Sequence, residues 1–286
     1  MSRIDRDRRV WLITGCSSGI GREIAQVALE AGARVATSAR DARRVSDLVD
    51  AYPDRALALA LDVTRSEQVA EAVAATESAF GQIDVLVNNA GYGYLAAIEE
   101  GDEEQVRALF DTNFFGVIAM IKAVLPGMRA RRSGLIVNIS SMTGLVSRPG
   151  VVYYSASKFA LESLSEGLSK ELAPFGVQVS VVKPGAFNTD YTGRSMKETT
   201  RPLAEYKDTV GLRRQLVRDV HGKLPGDPRD VGEAVVRLSR LEKPPLHLLV
   251  GRDAYQACCE KVEGLKESIS EWEKINLQDD AGDPPG

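Results

Sequence analysis

A short apolar segment, a glycine-rich turn and an amphipathic helix follow one another near the start of the chain. Residues 10–14 predict a buried strand. Gly15, Gly19 and Gly21 come next, in the spacing Gly-x-x-x-Gly-x-Gly, and apolar residues then recur at helical spacing as far as Gly32. Glycines let the backbone approach a pyrophosphate, and a helix N-terminus offers free N–H groups. The segment therefore predicts a phosphate-binding turn. An ordinary strand-to-helix turn is the alternative, and the second strand that follows makes it the weaker one.

Apolar segments typical of strands alternate with helical patterns along most of the chain. Such alternation predicts βαβ units, right-handed crossovers and a parallel sheet. We predict one α/β domain over residues 1–278, with a doubly wound, Rossmann-like parallel sheet of about seven strands and helices on both faces. The predicted strands are residues 10–14, 34–39, 56–61, 83–87, 135–139, 177–182 and 246–250.

Two segments depart from this alternation. Residues 186 to about 227 carry no strand pattern and predict a lid insertion, followed by a helix that begins near Pro228. Residues 253–275 predict a charged C-terminal helix, whose apolar side fits either packing on the domain or a subunit contact. That side consists of Leu265, Ile269, Trp272 and Ile275. Residues 279–286 have the composition of a disordered tail.

Composition and charge exclude several classes of protein. The 286 residues are 44% hydrophobic and 27% charged, and the net charge of −4 comes from acidic and basic residues mixed along the chain. This balance gives no electrostatic case for a nucleic-acid partner. The two histidines, His221 and His247, are too few and too scattered for a metal site. We therefore predict neither.

The sequence predicts a cytoplasmic protein with no membrane partner. The charged first nine residues lack the apolar centre of a secretory signal. We find no apolar span of about 18 residues that would suit a membrane helix. Cys16, Cys258 and Cys259 make no disulfide framework, since the last two are adjacent. A reducing compartment fits these features.

Tyr154 and Lys158 are four residues apart, which places them one turn apart on the same face of a helix. A nearby cation favours the phenolate over the phenol. Such a pair can act as a general acid and base near neutral pH. The same spacing also arises by chance on solvated helices, so the motif needs support from other residues.

That support comes from several motifs in a fixed order. Together they resemble the short-chain dehydrogenase/reductase family, in its compact single-domain branch, over residues 9 to 251. The motifs are Thr14-Gly15-x-x-x-Gly19-x-Gly21, Asp62, Asn88-Asn89-Ala90-Gly91, Asn113, Ser141, Tyr154-x-x-x-Lys158 and Pro184-Gly185-x-x-x-Thr189.

The resemblance implies four catalytic residues. Ser141 would hold the substrate oxygen, Tyr154 would exchange a proton with it, and Lys158 would support the tyrosine and bind the nicotinamide ribose. Asn113 would anchor a proton-relay water, or else only distort or cap its helix. The neighbours of two of these residues are alternatives, Ser140 for Ser141 and Tyr153 for Tyr154; family spacing favours Ser141, and only Tyr154 has a lysine four residues on.

The resemblance also implies a dinucleotide cofactor. We expect NADP(H) rather than NAD(H), because Ala39 stands where an NAD enzyme usually has an acid and Arg40 follows it. Asp41 could instead pair with Arg40. The predicted cofactor-binding residues are Gly15, Ser17, Ser18, Gly19, Ile20, Gly21, Arg40, Asp62, Val63, Asn89, Ala90, Gly91, Tyr154, Lys158, Pro184, Gly185 and Thr189.

An apolar ketone or secondary alcohol is the expected substrate, because the candidate pocket walls are mostly apolar or aromatic. Arg148 and Arg194 are isolated in the sequence and predict no carboxylate site. The candidate walls are Tyr92, Tyr94, Met142, Leu145, Val146, Phe187, Tyr191 and Met196. Any of them could equally belong to the core.

Other functions stay open on this reading. A non-catalytic NADP-sensing protein, an NAD-dependent alcohol dehydrogenase and a sugar-nucleotide epimerase are the alternatives. The last usually has a larger C-terminal domain and a different glycine spacing. The apolar helices predicted at 102–131 and 154–173 resemble those that pair subunits in the family, which implies a homodimer or homotetramer.

Overall fold

Parallel strands form the centre of the molecule. The computed structural model describes residues 8–189, 193 and 195–273. The strands of this part are β1 (Val10–Ile13), β2 (Arg34–Ala39), β3 (Ala56–Ala60), β4 (Val85–Asn88), β5 (Gly93–Leu95), β6 (Gly134–Ile139), β7 (Val177–Pro184), β8 (Met196–Glu198) and β9 (His247–Val250).

Seven of these strands make the main sheet, in the order β3-β2-β1-β4-β6-β7-β9. Every neighbouring pair is parallel, and β1 lies between β2 and β4, with Leu12 opposite Ala36 on one side and Leu86 on the other. The strand order reverses beside β1, which opens a crevice at the carboxyl ends of the strands. The predicted doubly wound sheet and its seven strands are confirmed.

Helices cover both faces of the sheet. They are α1 (Gly19–Glu30), α2 (Ser46–Ala51), α3 (Ser66–Phe80), α4 (Glu103–Phe110), α5 (Gly116–Arg131), α6 (Val152–Leu172), α7 (Leu212–Asp219), α8 (Pro228–Ser239) and α9 (Arg252–Glu271). A π-helical turn at Asp111–Phe115 joins α4 to α5. The predicted start near Pro228 is confirmed, because the Asp227 side chain accepts a hydrogen bond from Arg229 N and caps α8.

Alternating side chains of each strand build two separate cores. On β1, Ile13 belongs to the core beneath α1 and α8, together with Ile24 and Val235. Its neighbour Leu12 faces the other way, into the core that contains Ile121 of α5 and Leu161 of α6. Each fully buried leucine or isoleucine of this kind stabilises the fold by about 1.5–3 kcal/mol. A sheet buried on both faces needs the continuous apolar strands that the sequence shows.

The long helix over residues 103–131 is more apolar than we expected. By length and composition alone it could cross a membrane, so the expectation that no such segment exists is wrong. Its apolar side chains nevertheless include Val117, Met120, Ile121 and Val124, which are buried in the core under the sheet. Core packing accounts for these residues.

The insertion after β7 has more regular structure than the sequence predicts. β8 pairs in parallel with β5 in a second, two-stranded sheet, and α7 follows it. The expectation of no strand between residues 186 and 227 is therefore wrong. Each of the two strands has only three residues, which is too short for a periodic signal.

A buried ion pair ties this insertion to the rest of the fold. The Glu100 carboxylate pairs with Arg214 of α7 and accepts a hydrogen bond from Leu203 N at 2.8 Å. Arg214 also pairs with Glu198 of β8, with 3.1 Å between its Nε and the carboxylate oxygen. Because a buried charge is tolerated only when it is paired and hydrogen-bonded, this cluster specifies where α7 packs.

The C-terminal helix α9 begins close to the predicted position, but most of it faces solvent. Ala254 and Cys258 in its first turns are buried. Leu265, Ile269 and Trp272 are exposed, so this side does not pack on the described part of the chain. Ile275 and the predicted tail at 279–286 lie outside the described residues. The three cysteines are free thiols, as predicted.

Candidate active site

A cleft of about 940 Å³ lies at the carboxyl ends of the strands. This is within the usual range of about 300–1,000 Å³ for ligand sites. Its walls come from the loops that follow β1, β2, β3, β4, β6 and β7, together with α6 and α7. The elements that the sequence motifs occupy therefore converge on one site.

The glycine-rich turn forms the floor of one end of the cleft. Gly15 and Gly19 have φ angles of +73° and +61°, which side chains rarely adopt. A Cβ on Gly15 would lie 2.8 Å from the Ala90 Cα, and one on Gly19 would lie 3.3 Å from the Thr189 Cβ. Helix α1 begins at Gly19, so its free N–H groups open on the same space. This arrangement fits a bound pyrophosphate.

Gly21 has a different role from the one predicted. It does not line the cleft in the described structure. A side chain there would collide with the Asn89 amide and the Gly15 carbonyl. Gly21 therefore lets α1 approach the loop after β4.

Hydrogen bonds lock that loop to the glycine turn. Thr14 Oγ1 accepts from the backbone N of Asn89 at 2.9 Å and from that of Ala90 at 3.0 Å. The Asn89 amide donates to the carbonyls of Thr14 and Gly15, both at 3.0 Å. Asn88 points into the sheet, where its amide donates to Asn138 Oδ1 at 2.9 Å. Sequence reasoning placed Thr14 in the motif but missed this structural role.

Basic residues border the cleft where β2 ends. Arg40 and Arg44 both line it, near Asp62 and Val63. Asp41 is held by Arg43, whose Nε and Nη2 donate to its carboxylate at 2.9 Å, and this hydrogen bonding lowers the pKa of Asp41. We predicted that Asp41 could pair with Arg40, but in the structure it pairs with Arg43. Arg44, one helical turn further on, was missed.

Tyr154 and Lys158 lie on adjacent turns of α6 and face the cleft. They are 7% and 5% exposed, and Lys158 Nζ lies 5.8 Å from the centre of the Tyr154 ring. The Lys158 ammonium donates to the Ile139 carbonyl at 2.9 Å. Burial lowers the pKa of Lys158 to about 8, against the opposing effect of the negative Glu162. A cation so placed stabilises a phenolate.

Ser140 and Ser141 follow β6 and both line the cleft. Ser141 Oγ accepts from Thr143 N at 3.2 Å and lies 3.0 Å from Thr143 Oγ1, which makes it the cap of the short turn at Met142–Gly144. Ser140 Oγ is buried and has no hydrogen-bond partner among the described residues. The two readings of Ser141, as a cap and as a substrate contact, are compatible.

Asn113 lies in the π-helical turn and is fully buried. Its Oδ1 accepts from Tyr92 N at 3.1 Å, and its Nδ2 donates to Tyr92 O at 3.0 Å and to Ser157 Oγ at 3.1 Å. Gly91 separates it from the cleft, where a Cβ would lie 3.0 Å from Asn113 Oδ1 and 3.7 Å from Lys158 Nζ. Asn113 thus positions the loop beside the lysine.

The substrate end of the cleft matches the prediction only in part. Tyr92, Met142, Phe187 and Met196 line it, whereas Tyr191 lies outside the described residues. Three predicted wall residues do not border the described cleft: Tyr94, Leu145 and Val146. Tyr94 is buried, accepts a hydrogen bond from Asp102 N at 3.1 Å and packs against the Tyr153 ring.

Helix α7 and the loop before α6 supply the walls that sequence reasoning missed. They are Arg148, Val151, Arg213, Leu216, Val217, Val220 and Leu224. Four of these residues, from Arg213 to Val220, recur at helical spacing, so a periodicity search within the insertion could have found them. Arg148, which we predicted to be isolated, and Arg213 both line the cleft, whereas Arg194 lies outside the described residues.

Comparisons with known proteins agree with this geometry. The family model for short chain dehydrogenase matches residues 9–200. "Oxidoreductase BOA17" of Botryotinia fuckeliana is 37% identical over 271 residues, which cover 94% of this chain and 98% of that protein. The "3-ketodihydrosphingosine reductase" of Bacteroides thetaiotaomicron is 40% identical over 245 residues, or 85% and 88% of the two chains.

Solved structures show the same likeness. A short-chain dehydrogenase from Streptomyces avermitilis is 43% identical with a TM-score of 0.89, over 95% of this chain and 98% of that one. More distant neighbours hold different cofactors. A 3-ketoacyl-(acyl-carrier-protein) reductase from Brucella melitensis is complexed with NADH (28% identity, TM-score 0.71, 85% and 96% coverage). A metagenomic short-chain oxidoreductase is complexed with NADP (27% identity, TM-score 0.67, 85% and 96% coverage). The chain belongs to the short-chain dehydrogenase family and is an oxidoreductase.

Proposed function

We propose that this protein transfers a hydride between NADP(H) and an apolar ketone or secondary alcohol, with Tyr154 as general acid and base. One observation carries the proposal. Tyr154 and Lys158 occupy adjacent turns of α6, at the same cleft that the glycine-rich turn and Ser141 border. A proton donor with a cation behind it and a phosphate-binding turn in one cleft are the parts that this reaction needs.

The side chains have separate roles in this scheme. When bound, a nicotinamide cofactor would supply the hydride for reduction or accept it in oxidation. Tyr154 gives its phenolic proton to the carbonyl oxygen in reduction, and Lys158 stabilises the phenolate that remains. Ser141 would donate a hydrogen bond to the same substrate oxygen. Asn113 holds the loop at Tyr92 and thereby the space beside Lys158.

The preference for NADP(H) rests on charge at the end of β2. Arg40 and Arg44 line the cleft, and Ala39 offers no acid that would repel a 2′-phosphate. A guanidinium binds phosphate through paired, charge-assisted hydrogen bonds. Asp41 is occupied by Arg43, which supports an available Arg40.

The substrate class rests on the other end of the cleft. Met142, Val151, Phe187, Met196 and Leu216 give it mostly apolar walls. The name of the Bacteroides relative specifies a ketone on a long-chain base, which supports an apolar ketone here. Burying such a chain stabilises the complex by about 25 cal/mol per Å² of apolar surface.

A panel of apolar ketones tests the proposal, with NADPH and NADH compared at equal concentrations. We expect oxidation of NADPH by at least one ketone, with NADH used less well. Tight NADPH binding without turnover on any member of the panel would instead favour the non-catalytic, cofactor-sensing alternative. Faster oxidation of NADH would favour the NAD-dependent alcohol dehydrogenase.

We also propose that the protein is a cytoplasmic homodimer or homotetramer without a membrane or nucleic-acid partner. Phe115 and Phe159 are exposed on the helices that the family resemblance assigns to subunit pairing, and apolar side chains at such positions favour association. Light scattering at micromolar concentration, without detergent, gives the mass directly. A monomer at all concentrations would contradict this proposal.

A further inference from the structure

A buried group of charged side chains lies behind the catalytic lysine, between α6, β7 and β9. Lys183 Nζ is 2.9 Å from Glu162 Oε2 and 3.0 Å from His247 Nδ1. His247 Nδ1 is 3.6 Å from the same carboxylate oxygen. The side chains of Lys183 and Glu162 are 4% and 13% exposed, whereas that of His247 is 52% exposed. The group therefore extends from the interior to the surface.

Glu162 continues the catalytic face of α6. Tyr154, Lys158 and Glu162 are spaced four residues apart, so each lies one turn from the next on the same side of the helix. The carboxylate is thus the nearest anionic side chain along the helix to Lys158. Its negative charge opposes the effect of burial on the pKa of Lys158.

The two oxygens of this carboxylate face different surroundings. Oε2 contacts Lys183 and His247. Oε1 is buried and has no hydrogen-bond partner among the described residues, like Ser140 Oγ. Both atoms border Gly144, where a Cβ would lie 2.5 Å from Ser140 Oγ and 3.1 Å from Glu162 Oε1. The free oxygen therefore faces the side where Ser140 lines the cleft.

The remaining titratable groups around this cluster come from α6 and α9. Glu166, on the next turn of α6, is exposed and bonded to Lys170 at 2.7 Å. From α9, the Cys258 thiol lies within the influence of the charges on Lys183 and Glu162, and burial raises its pKa. Burial and the neighbouring Lys183 lower the pKa of His247, which favours its neutral form. Neutral Nδ1 can then accept from the Lys183 ammonium.

We propose that Glu162 is a positioning residue for the catalytic reaction: its buried carboxylate keeps Lys158 protonated, and Lys183 and His247 hold that carboxylate in place. This inference rests on the proposed function of the Tyr154–Lys158 pair. An ion pair that only joined α6 to β7 would need no oxygen free on the cleft side. The functional consequence is that ketone reduction persists to higher pH than burial of Lys158 alone would allow.

The direction of the effect follows from charge. Lys158 carries its proton at low pH and loses it as the pH rises through its pKa. Without the negative charge of Glu162, that pKa falls further, so reduction declines at a lower pH. A purely structural role for Glu162 would lower activity at every pH by a similar factor.

The test is the pH profile of kcat for ketone reduction in the Glu162→Gln protein. We expect its alkaline decline to move by about one pH unit to lower pH, with kcat near the wild-type value at pH 6 and KM for the ketone changed less than twofold. Glu166→Gln is the matched control and should leave the profile unchanged. Glu162→Asp keeps the negative charge and should have a pH profile close to that of the wild-type protein.

Two further measurements keep the inference testable if Glu162→Gln folds poorly or the ketone is not found. The double variant Glu162→Gln/Lys183→Gln removes both charges of the pair and should show a smaller acid shift than Glu162→Gln, because loss of the Lys183 cation opposes loss of the carboxylate. Titration of Lys158 Nζ by NMR in the ligand-free protein reads its protonation without any substrate. An unchanged Lys158 titration and an unchanged profile in either variant would overturn the inference, even if the protein proves to be the proposed reductase.

Discussion

The two ends of the cleft differ in how the chain builds them. The cofactor end consists of short turns that follow parallel strands. They are held by hydrogen bonds such as those from the backbone N–H groups of Asn89 and Ala90 to the Thr14 hydroxyl. The substrate end takes several of its side chains, such as Leu216, from an insertion, whose position depends on the buried pair of Glu100 and Arg214. The first end allows few residues at each position, whereas the second can change its side chains without changing the fold.

The largest effect should follow a substitution at the constrained end. Gly15→Val places a side chain where φ is +73° and the Ala90 backbone is 2.8 Å from its Cβ. We expect the Kd for NADPH to rise about 100-fold or more, because strain of this kind costs about 1–3 kcal/mol and the side chain also enters the phosphate site. Fluorescence titration measures the Kd.

The control for that experiment is Gly167→Ala on α6. Gly167 is helical and has nothing within 4 Å of an added Cβ, so alanine should stabilise the fold by about 0.5–1 kcal/mol and leave NADPH binding unchanged. Equal binding by the Gly15→Val and wild-type proteins would show that the turn does not carry the dinucleotide.

A smaller effect is expected at Arg40. Arg40→Ala removes a guanidinium that lines the cleft, and loss of charged hydrogen bonds to a phosphate costs about 1.5–3 kcal/mol. We expect KM for NADPH to rise about 10- to 100-fold with little change for NADH. Arg129→Ala, at an exposed position of α5 that does not line the cleft, should change neither value more than twofold. Equal losses for both cofactors in Arg40→Ala would contradict the NADP assignment.

The smallest effect is expected at the tolerant end. Leu216→Ala shortens a side chain of α7 that lines the cleft. We expect KM for an apolar ketone to rise about 5- to 30-fold, since removing part of a buried apolar contact costs about 1–2 kcal/mol, while KM for NADPH stays constant. The control is Leu212→Ala, because Leu212 is on the same helix but is exposed and does not line the cleft. If the two leucine variants behave alike, α7 does not form the substrate wall.

The same contrast explains what could be predicted from the sequence. The seven strands of the main sheet, the glycine turn and the Tyr154–Lys158 pair are specified locally, by periodicity, positive φ and helical spacing. The orientation of the Tyr94 side chain depends on a contact outside its own strand, because its hydroxyl accepts a hydrogen bond from Asp102 N in the interior. The sequence of residues 92 to 96 alone does not predict this contact. Gly21 was likewise predicted to bind the cofactor, whereas in the structure it allows close packing against Asn89.

The insertion shows the limit most clearly. The pairing of β8 with β5 joins residues about one hundred positions apart, and a three-residue strand carries no periodicity of its own. The wall residues of α7 have helical spacing, but only the tertiary contact of Arg214 with Glu100 determines that this face turns toward the cleft. Predictions about substrate class are weaker than those about cofactor for this reason.

The most direct measurement is ketone turnover by the Tyr154→Phe protein, compared with Tyr153→Phe. The two phenols are adjacent on α6, but the Tyr153 hydroxyl donates a hydrogen bond to the Ile98 carbonyl and does not line the cleft. We predict that Tyr154→Phe lowers kcat at least about 100-fold, as loss of a general acid does, with the fold and the Kd for NADPH retained, and that Tyr153→Phe keeps near-normal turnover. Near-normal kcat in Tyr154→Phe would contradict the account.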